Sequence, residues 1–384
     1  MKRMPLVLVL IFSFIFQGCW DKVEIDERAF VGGIFIDALE AEKSKGGGTI
    51  EPFYEEKMDS TLKVIFTLAN PGEVLKGGEK GFVTVEAEAE SIPDAIRKIG
   101  IRLNRTPFFA HMKVVVLTEK VLKDENLFKE ILDFLERDPD INAQVNIMML
   151  KGDIEKLTNI KPKLDIYLVT YIQGVFNNAS KLSYVVPIKL FKFISQLNSS
   201  NKAILPIITV NEDEVEVKGL ALVKDNKLYK EVDEKYLRAF QFINGNFKGG
   251  RKFINFKGVD LSYFIQDSFR NIYVKEEEGK LKFTIKAEIE GLLENNVFSK
   301  EELDKKQIDE IEAIISKSFE LELKEAIKYF QNVVELDYLG LEDYTRKNYY
   351  RIFKKYEDNW DEAFREADFE VEAKAFIRRI GSSR

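Results

Sequence analysis

The sequence of 384 residues contains one cysteine, Cys19, and its surroundings indicate covalent attachment of a lipid. Two basic residues precede an apolar run from residue 4 to 16, which is shorter than the roughly 20 residues that cross a bilayer. A basic start, a short apolar run and a small residue, here Gly18, are typical of an export signal. Cleavage before Cys19 would leave its thiol at the new N-terminus, ready to carry a thioether-linked diacylglycerol. The sequence therefore predicts a lipoprotein signal peptide over residues 1–18 and lipidation of Cys19.

Two other interpretations of this segment stay open. It is an ordinary secretory signal that a cysteine follows by chance, or it is a signal anchor that is not cleaved. Lipoprotein sites usually carry Leu three residues before the cysteine, whereas this chain has Phe16 followed by Gln17. Each buried methylene of an acyl chain such as palmitate contributes about 0.8 kcal/mol. Two or three chains on Cys19 would therefore hold the protein at the membrane surface.

The residues that follow Cys19 suit a position beside a lipid surface. An indole such as Trp20 prefers the bilayer interface, with its apolar body inward and its N–H toward water. Asp21 and Glu24 begin an acidic, hydrated surface, and Ile25 is expected to dock onto the first domain. We therefore take Trp20, Asp21, Glu24 and Ile25 as candidate contacts with the membrane or with a partner protein. The alternative is a disordered tether whose sequence does not matter.

The remaining residues give little material for catalysis, so the sequence predicts a protein that is not an enzyme. His111 is the only histidine, and it precedes a Val-rich strand where a structural role is expected. The one thiol is assigned to lipid, and neither a GxxxxGK[ST] loop nor a GxGxxG motif occurs. The 65 acidic residues are so numerous that no single carboxylate pair is informative. We therefore predict no catalytic residue, no metal site and no cofactor. The net charge of −7 argues against nucleic acid as a partner.

Hydrophobic patterning predicts three units of mixed α/β and α+β structure in series, with mixed or antiparallel sheets packed by helices. The polar segment Asn198–Lys202 and the glycine-rich segment Gly245–Gly258 are the expected junctions. The predicted division is residues 1–18 (signal peptide), 19–200 (N-terminal α/β domain), 201–255 (small middle domain) and 256–384 (C-terminal α+β domain). Local signals include a bulge or close backbone approach at Gly32-Gly33, a hairpin turn at Asp225-Asn226, and one long amphipathic helix near 301–337.

Several segments, in this order and spacing, resemble the Ger(x)C lipoproteins, the C subunits of spore germination receptors. The N-terminal match is GCWDKVEI followed by the strand VGGIFID, where that family more often has a GIGID-like run. The match continues through LDFLERDPDI and KGLALVKDNKL to YFQNVVELDYLGLEDYTRK and a final VEAKAFIRRIG. The residues that carry it are Cys19, Trp20, Asp21, Glu24, Ile25, Asp37, His111, Arg137, Gln331, Asp337, Gly340 and Trp360. The resemblance spans essentially the whole chain.

This resemblance implies a function that the residue patterns alone do not give. It implies a non-enzymatic subunit of a nutrient germinant receptor, held by its lipid in the inner membrane of the dormant spore with its domains outside the cytoplasm. It also implies two integral-membrane partners, the A and B subunits, and a fold of three mixed α/β domains. The alternative is a solute-binding lipoprotein of a transporter, which would favour two similar lobes around a cleft. An exported hydrolase is a third option, and the scarcity of histidine argues against it.

Overall fold

The computed structural model describes residues 24–39, 61–70, 72, 75, 76, 81–294 and 303–380. Within them, a nine-stranded sheet has the order β3-β2-β1-β5-β6-β7-β8-β9, with β4 paired to the start of β1. Its strands β1 to β9 are Arg28–Ala38, Leu62–Ala69, Phe82–Ala89, Thr106–Phe108, Val114–Thr118, Asn146–Leu150, Lys202–Asn211, Glu214–Lys224 and Lys227–Asp233. The central strands β1, β5, β6 and β7 are parallel, and antiparallel strands flank them on both sides.

The parallel strands at the centre are buried on both faces, as their apolar composition requires. All five residues of β5 are buried. Val115 and Leu117 face one core, whereas Val114 and Val116 face the other, because successive side chains of a strand alternate between faces. Helices cover both faces: α1 (Ile92–Gly100), α3 (Glu125–Arg137) and α6 (Leu190–Ser200) on one, α4 (Ile154–Asn159) and α5 (Leu168–Lys181) on the other. The short α2 (Glu119–Lys123) follows β5.

The glycine pair in β1 has the role that the sequence predicted. The register of β1 against β2 shifts between Val31 and Gly33, which is a β-bulge. A Cβ on Gly33 would lie 2.8 Å from Cγ2 of Val114, and a Cβ on Gly32 would lie 2.9 Å from Cγ2 of Val169. These glycines therefore let both β5 and α5 approach β1 closely.

The strands after the predicted linker Asn198–Lys202 extend the first sheet. Residues 198–200 end α6, and β7 begins at Lys202 and pairs with β6. Strands β8 and β9 continue the same sheet, joined by a turn in which Asp225 and Asn226 have φ of 50° and 57°. The hairpin prediction is thus confirmed. The segment predicted as a small middle domain contributes strands to the sheet of the first domain because the exposed edge of β6 pairs with β7.

A second, four-stranded sheet has the order β10-β11-β12-β13. Its strands are Gly250–Phe256, Val259–Glu277, Lys280–Leu293 and Asp368–Ile380. The predicted boundary between 255 and 256 falls inside β10, and the predicted glycine-rich junction is largely this strand. Gly245, the first residue of that predicted junction, ends the preceding helix α7 (Leu237–Asn244) with φ of 84°.

One long helix lies in the chain between β12 and β13 and packs mainly against β13 of the second sheet. Helix α8 (Lys305–Tyr329) begins at a capping box of Asp304 and Gln307 and continues into a π-helical turn, Phe330–Val334. The predicted apolar stripe is confirmed, with its buried members at Ile311, Ile315, Phe319, Leu323 and Ile327. Three short helices follow: α9 (Leu341–Asn348), α10 (Tyr350–Tyr356) and α11 (Trp360–Glu366).

The architecture is therefore a mixed α/β and α+β fold of two sheets packed by helices, as the sequence predicted. Sheets of nine and four strands are not two similar lobes, so the fold does not favour the solute-binding alternative. None of the helices within the described residues has both the length and the apolar character to span a bilayer.

Candidate functional site

The predicted membrane-proximal residues lie at the start of the described chain. Cys19, Trp20 and Asp21 are outside the described residues. Glu24 is exposed and precedes a 3₁₀ turn, Ile25–Glu27, that leads into β1. The expectation that Ile25 docks onto the first domain is wrong, because its side chain is 76% exposed. An exposed Ile25 beside β1 is available to another surface, and its role as a contact stays a prediction.

His111 is exposed and stands in a group of aromatic rings. Its ring centroid lies 5.6 Å from that of Phe30 and 5.7 Å from that of Phe108. The guanidinium of Arg28 lies over the ring of Phe108, at 4.2 Å from its centroid. His111 therefore packs against the first residues of β1 and against β4.

The residues of the C-terminal resemblance converge on one buried carboxylate. Asp337 follows the π-helical turn and accepts four N–H hydrogen bonds, from the backbone of Gly340 (3.0 Å), Leu341 (3.3 Å) and Glu342 (2.6 Å) and from Nε1 of Trp360 (3.0 Å). Its side chain thus satisfies the first amides of α9, which would otherwise lack partners. Gln331, in the π-helical turn, contacts the end of α11: its Nε2 donates to the carbonyls of Phe364 and Ala367.

A lysine from the first sheet completes this group. Nζ of Lys202, the first residue of β7, lies 2.9 Å from Oδ1 of Asp361 and 3.3 Å from Oε2 of Glu342. We call Lys202, Asp337, Glu342, Trp360 and Asp361 the Asp337 cluster. Because Lys202 belongs to the first sheet and the other four to the C-terminal half, the Asp337 cluster joins the two halves.

Burial and charge act in opposite directions on the groups of this cluster. Burial acts to lower the pKa of Lys202, but the charges of Asp337, Asp361 and Glu342 outweigh it, so the pKa is raised. Burial raises the pKa of Asp337, and Lys202 and the N–H donors oppose that rise. Burial likewise raises the pKa of Glu342, which Lys202 also opposes. The cluster is a paired, hydrogen-bonded group and offers no free nucleophile or base.

The Asp337 cluster borders a large cleft of about 950 Å³ between the two halves. We call it the interdomain cleft. Its walls come from α6 and β7 on one side and from the end of α7, β11 and α9 on the other. Across the described ranges, no three His, Cys, Asp or Glu side chains are placed to hold a metal ion.

Sequence reasoning found part of this site and missed the rest. Asp337, Gly340 and Trp360 were singled out by the resemblance, and the structure brings them together. Gly340 has φ of 80°, and a Cβ there would lie 2.9 Å from Nδ2 of Asn244. Lys202 was missed because it stands in a polar segment that is typical of a solvated linker. No local signal could have shown that it reaches a carboxylate more than a hundred residues away.

Known spore germination proteins are similar to this chain over nearly its whole length. The family described as "Spore germination protein N-terminal domain" matches residues 21–210. The family described as "Spore germination B3/ GerAC like, C-terminal" matches residues 218–381. The spore germination protein YndF of Bacillus subtilis (strain 168) is 26% identical over 400 residues, which is 99% of this chain and 98% of that protein. The spore germination protein KC of the same organism is 24% identical over 417 residues, 99% of this chain and 96% of that protein.

A solved structure has the same fold. The crystal structure of the GerBC protein matches with a TM-score of 0.60 and 20% identity, over 83% of this chain and 93% of that one. Both halves match in the order in which that family carries them. The chain therefore belongs to the Ger(x)C family of spore germination proteins, the C subunits of germinant receptors.

Proposed function

We propose that this protein is a lipid-anchored, non-enzymatic subunit of a nutrient germinant receptor in the inner membrane of the dormant spore. The observation that carries the proposal is the match of residues 21–210 and 218–381 to the spore germination families, together with a single cysteine placed directly after the predicted export signal. Acyl chains on Cys19 would hold the domains outside the cytoplasm. The integral-membrane A and B subunits of the receptor would be its protein partners.

The geometry around the start of β1 is compatible with this arrangement. Only a short stretch of chain separates Cys19 from β1, which begins at Arg28. That stretch cannot span more than about 3.3–3.6 Å per residue. The N-terminal end of β1 would therefore stay close to the lipid. The membrane-proximal residues Trp20, Asp21, Glu24 and Ile25 would then lie between the bilayer and the start of β1, where they contact lipid or a partner subunit.

The charged groups of the Asp337 cluster have structural partners, which is compatible with a subunit that acts by contact. The described carboxylates and lysine at the centre of the molecule are occupied by each other and by backbone amides. A subunit of this kind would act through its position in the receptor and through its contacts with the partner subunits.

Replacement of Cys19 tests the anchor. We expect Cys19→Ala to leave the chain unlipidated, so that it stays as uncut precursor or is shed from the membrane, because no other thiol exists to receive the diacylglycerol. The measurement is metabolic labelling with a palmitate analogue, followed by fractionation of the spore membrane. Thr84→Ala, on an exposed position of β3, is the matched control and should label normally. Label on the Cys19→Ala chain would contradict the proposal.

Replacement of Trp20-Asp21 by Ser-Ser, with Cys19 intact, tests the contact role of the membrane-proximal residues. We expect slower germination at normal lipidation and normal protein level, because the indole no longer sets the depth of the chain at the interface. Trp20→Phe, which keeps an aromatic ring, should retain most of the rate. Germination of the Ser-Ser strain at the native rate would leave a simple tether as the explanation.

A further inference from the structure

The interdomain cleft has an imbalance between its positive and negative groups. Asp337, Glu342, Asp343 and Glu357 are the carboxylates that line it. Each has partners within the described residues: the four N–H donors for Asp337, Lys202 for Glu342, Arg346 and Lys347 for Asp343, and Lys354 for Glu357. The lining therefore has no carboxylate that lacks a donor.

Two cations of the same lining have no such partner. Arg270 on β11 and Lys192 on α6 make no ion pair with any carboxylate of the described chain, and they come from opposite halves of the molecule. The Arg270 guanidinium lies over the ring of Tyr344, at 5.5 Å from its centroid, and its Nη1 makes one long contact of 3.5 Å with the carbonyl of Phe242. A guanidinium carries five N–H donors, so most of the hydrogen-bonding capacity of Arg270 is unused.

Burial makes this unused capacity costly. Arg270 is partly buried, and the loss of water lowers its pKa, with no carboxylate nearby to offset the effect. Arginine side chains removed from water are normally paired. The planar fork of a guanidinium matches two oxygens of a carboxylate or a phosphate. An oxyanion is thus the group that the surroundings of Arg270 lack.

The backbone beneath Arg270 is shaped to leave room for the guanidinium. Gly245 has φ of 84°, and a Cβ on it would lie 2.8 Å from Nη2 of Arg270. The two flanking residues, Asn244 and Asn246, line the same cleft. Asn246 donates to Oδ1 of Asn244, and Asn244 donates to the carbonyl of Leu339 (3.2 Å). These linked amides hold the floor of the cleft in place next to the guanidinium.

We propose that the interdomain cleft binds a small molecule through a carboxylate or phosphate group, which the Arg270 guanidinium holds and to which Lys192 of the other half contributes charge. A ligand in this position contacts both halves of the subunit and stabilises their arrangement. The proposal concerns a ligand of the subunit itself and does not depend on lipidation or on a role in germination.

The test uses the full chain in a non-ionic detergent, with inorganic phosphate and succinate as separate probes at constant ionic strength. Isothermal titration calorimetry should show saturable binding of at least one probe. Whichever probe binds identifies the oxyanion as a phosphate or a carboxylate. Arg270→Gln should weaken that binding about 10- to 150-fold, because a hydrogen bond to a charged group contributes about 1.5–3 kcal/mol. Arg351→Gln, on an exposed position of α10 outside the cleft, is the matched control and should bind as the native chain does.

A second variant separates loss of binding from loss of fold. Lys192 is exposed, so Lys192→Gln should keep the thermal unfolding midpoint of the native chain and still bind the probe several-fold more weakly. Arg270→Lys, which keeps the charge without the fork, should bind more weakly than native and more tightly than Arg270→Gln. The proposal is overturned if the folded native chain binds neither probe saturably. It is also overturned if Arg270→Gln and Lys192→Gln both bind with native affinity.

Discussion

At the scale of single residues, Asp337 shows how one side chain organises its surroundings. Its two oxygens each accept two N–H groups: Oδ1 from Gly340 and Leu341, Oδ2 from Glu342 and the indole of Trp360. A negative group at the start of a helix also interacts favourably with the helix dipole. Asp337 therefore fixes both the start of α9 and the position of Trp360.

Asp337→Asn should destabilise the fold by about 2–4 kcal/mol. An amide has an acceptor on one side only, so whichever way it turns, two buried N–H donors face its NH₂ group and lose their partner. The measurement is the free energy of unfolding in urea. Asp343→Asn is the matched control, because Asp343 lies in α9, the helix that Asp337 caps, and pairs with Arg346 and Lys347 at the surface. Exposed pairs of that kind contribute about 0–1 kcal/mol. Equal losses in the two variants would contradict this account of Asp337.

At the scale of elements, α8 is held to its neighbours by a buried ionic group as well as by its apolar stripe. Glu322 receives two hydrogen bonds of 2.6 Å from Arg238 at the start of α7 and one of 2.9 Å from Lys252 in β10. Burial acts to raise the pKa of Glu322, but Arg238 and Lys252 outweigh it and hold the pKa below the usual value of 4.5. This carboxylate therefore ties one helix to another helix and to the edge of the second sheet.

Glu322→Gln should lower the free energy of unfolding by about 3–5 kcal/mol at neutral pH, because it leaves the buried Lys252 and the partly buried Arg238 without an anion. The effect depends on pH with a defined sign. Since the folded pKa is depressed, the stability that Glu322 contributes is present above the unfolded pKa near 4.5 and is lost as pH falls through the folded pKa.

The difference between native and Glu322→Gln should accordingly shrink below about pH 4 when urea unfolding is measured from pH 7 to pH 3. Glu325→Gln, at an exposed position of the same helix, should change stability little at any pH. A native-to-variant difference that stays constant down to pH 3 would argue against the ionic role of Glu322.

At the scale of the whole molecule, the two sheets share one continuous core. A single set of contacting buried residues includes Val115 of the first sheet, Phe240 of α7 and Ile285 of the second sheet. Hydrogen bonds also join the first sheet to the segment that follows α8: Tyr229 of β9 donates to the carbonyl of Val334, and Tyr338 donates to that of Val223 of β8 (both 2.9 Å). The halves are therefore expected to unfold together, whereas independent domains would unfold in separate steps.

We expect one cooperative unfolding transition in the chain that begins at Asp21. That chain has a single tryptophan, Trp360, so its fluorescence reports on the C-terminal half, while far-ultraviolet circular dichroism reports on all elements. The two probes should give coincident curves in urea. Addition of a metal chelator or a reductant should leave both curves unchanged. Separate midpoints for the two probes would instead favour the independent domains predicted at 19–200, 201–255 and 256–384.

The sequence by itself determined the features that depend on neighbours along the chain. Hydrophobic patterning predicted mixed or antiparallel sheets packed by helices, the 3.6-residue stripe predicted α8, and the types of residues 225 and 226 predicted a hairpin turn. Each of these depends on local backbone preference or on periodic burial, which a single segment expresses alone. The order of segments was also enough to indicate the family.

Only the tertiary structure decided which segments share a sheet and which polar side chains meet. Strands β7 to β9 joined the first sheet because the edge of β6 was open to pairing, and no residue within those strands encodes that choice. Lys202 and Arg270 look in sequence like ordinary surface cations. Their roles arise because folding places Lys202 against three carboxylates of the C-terminal half and leaves Arg270 in the lining of the cleft without an ion pair to any described carboxylate. Hydrogen-bond partners and burial are properties of distant segments in contact, and one stretch of sequence carries no record of them.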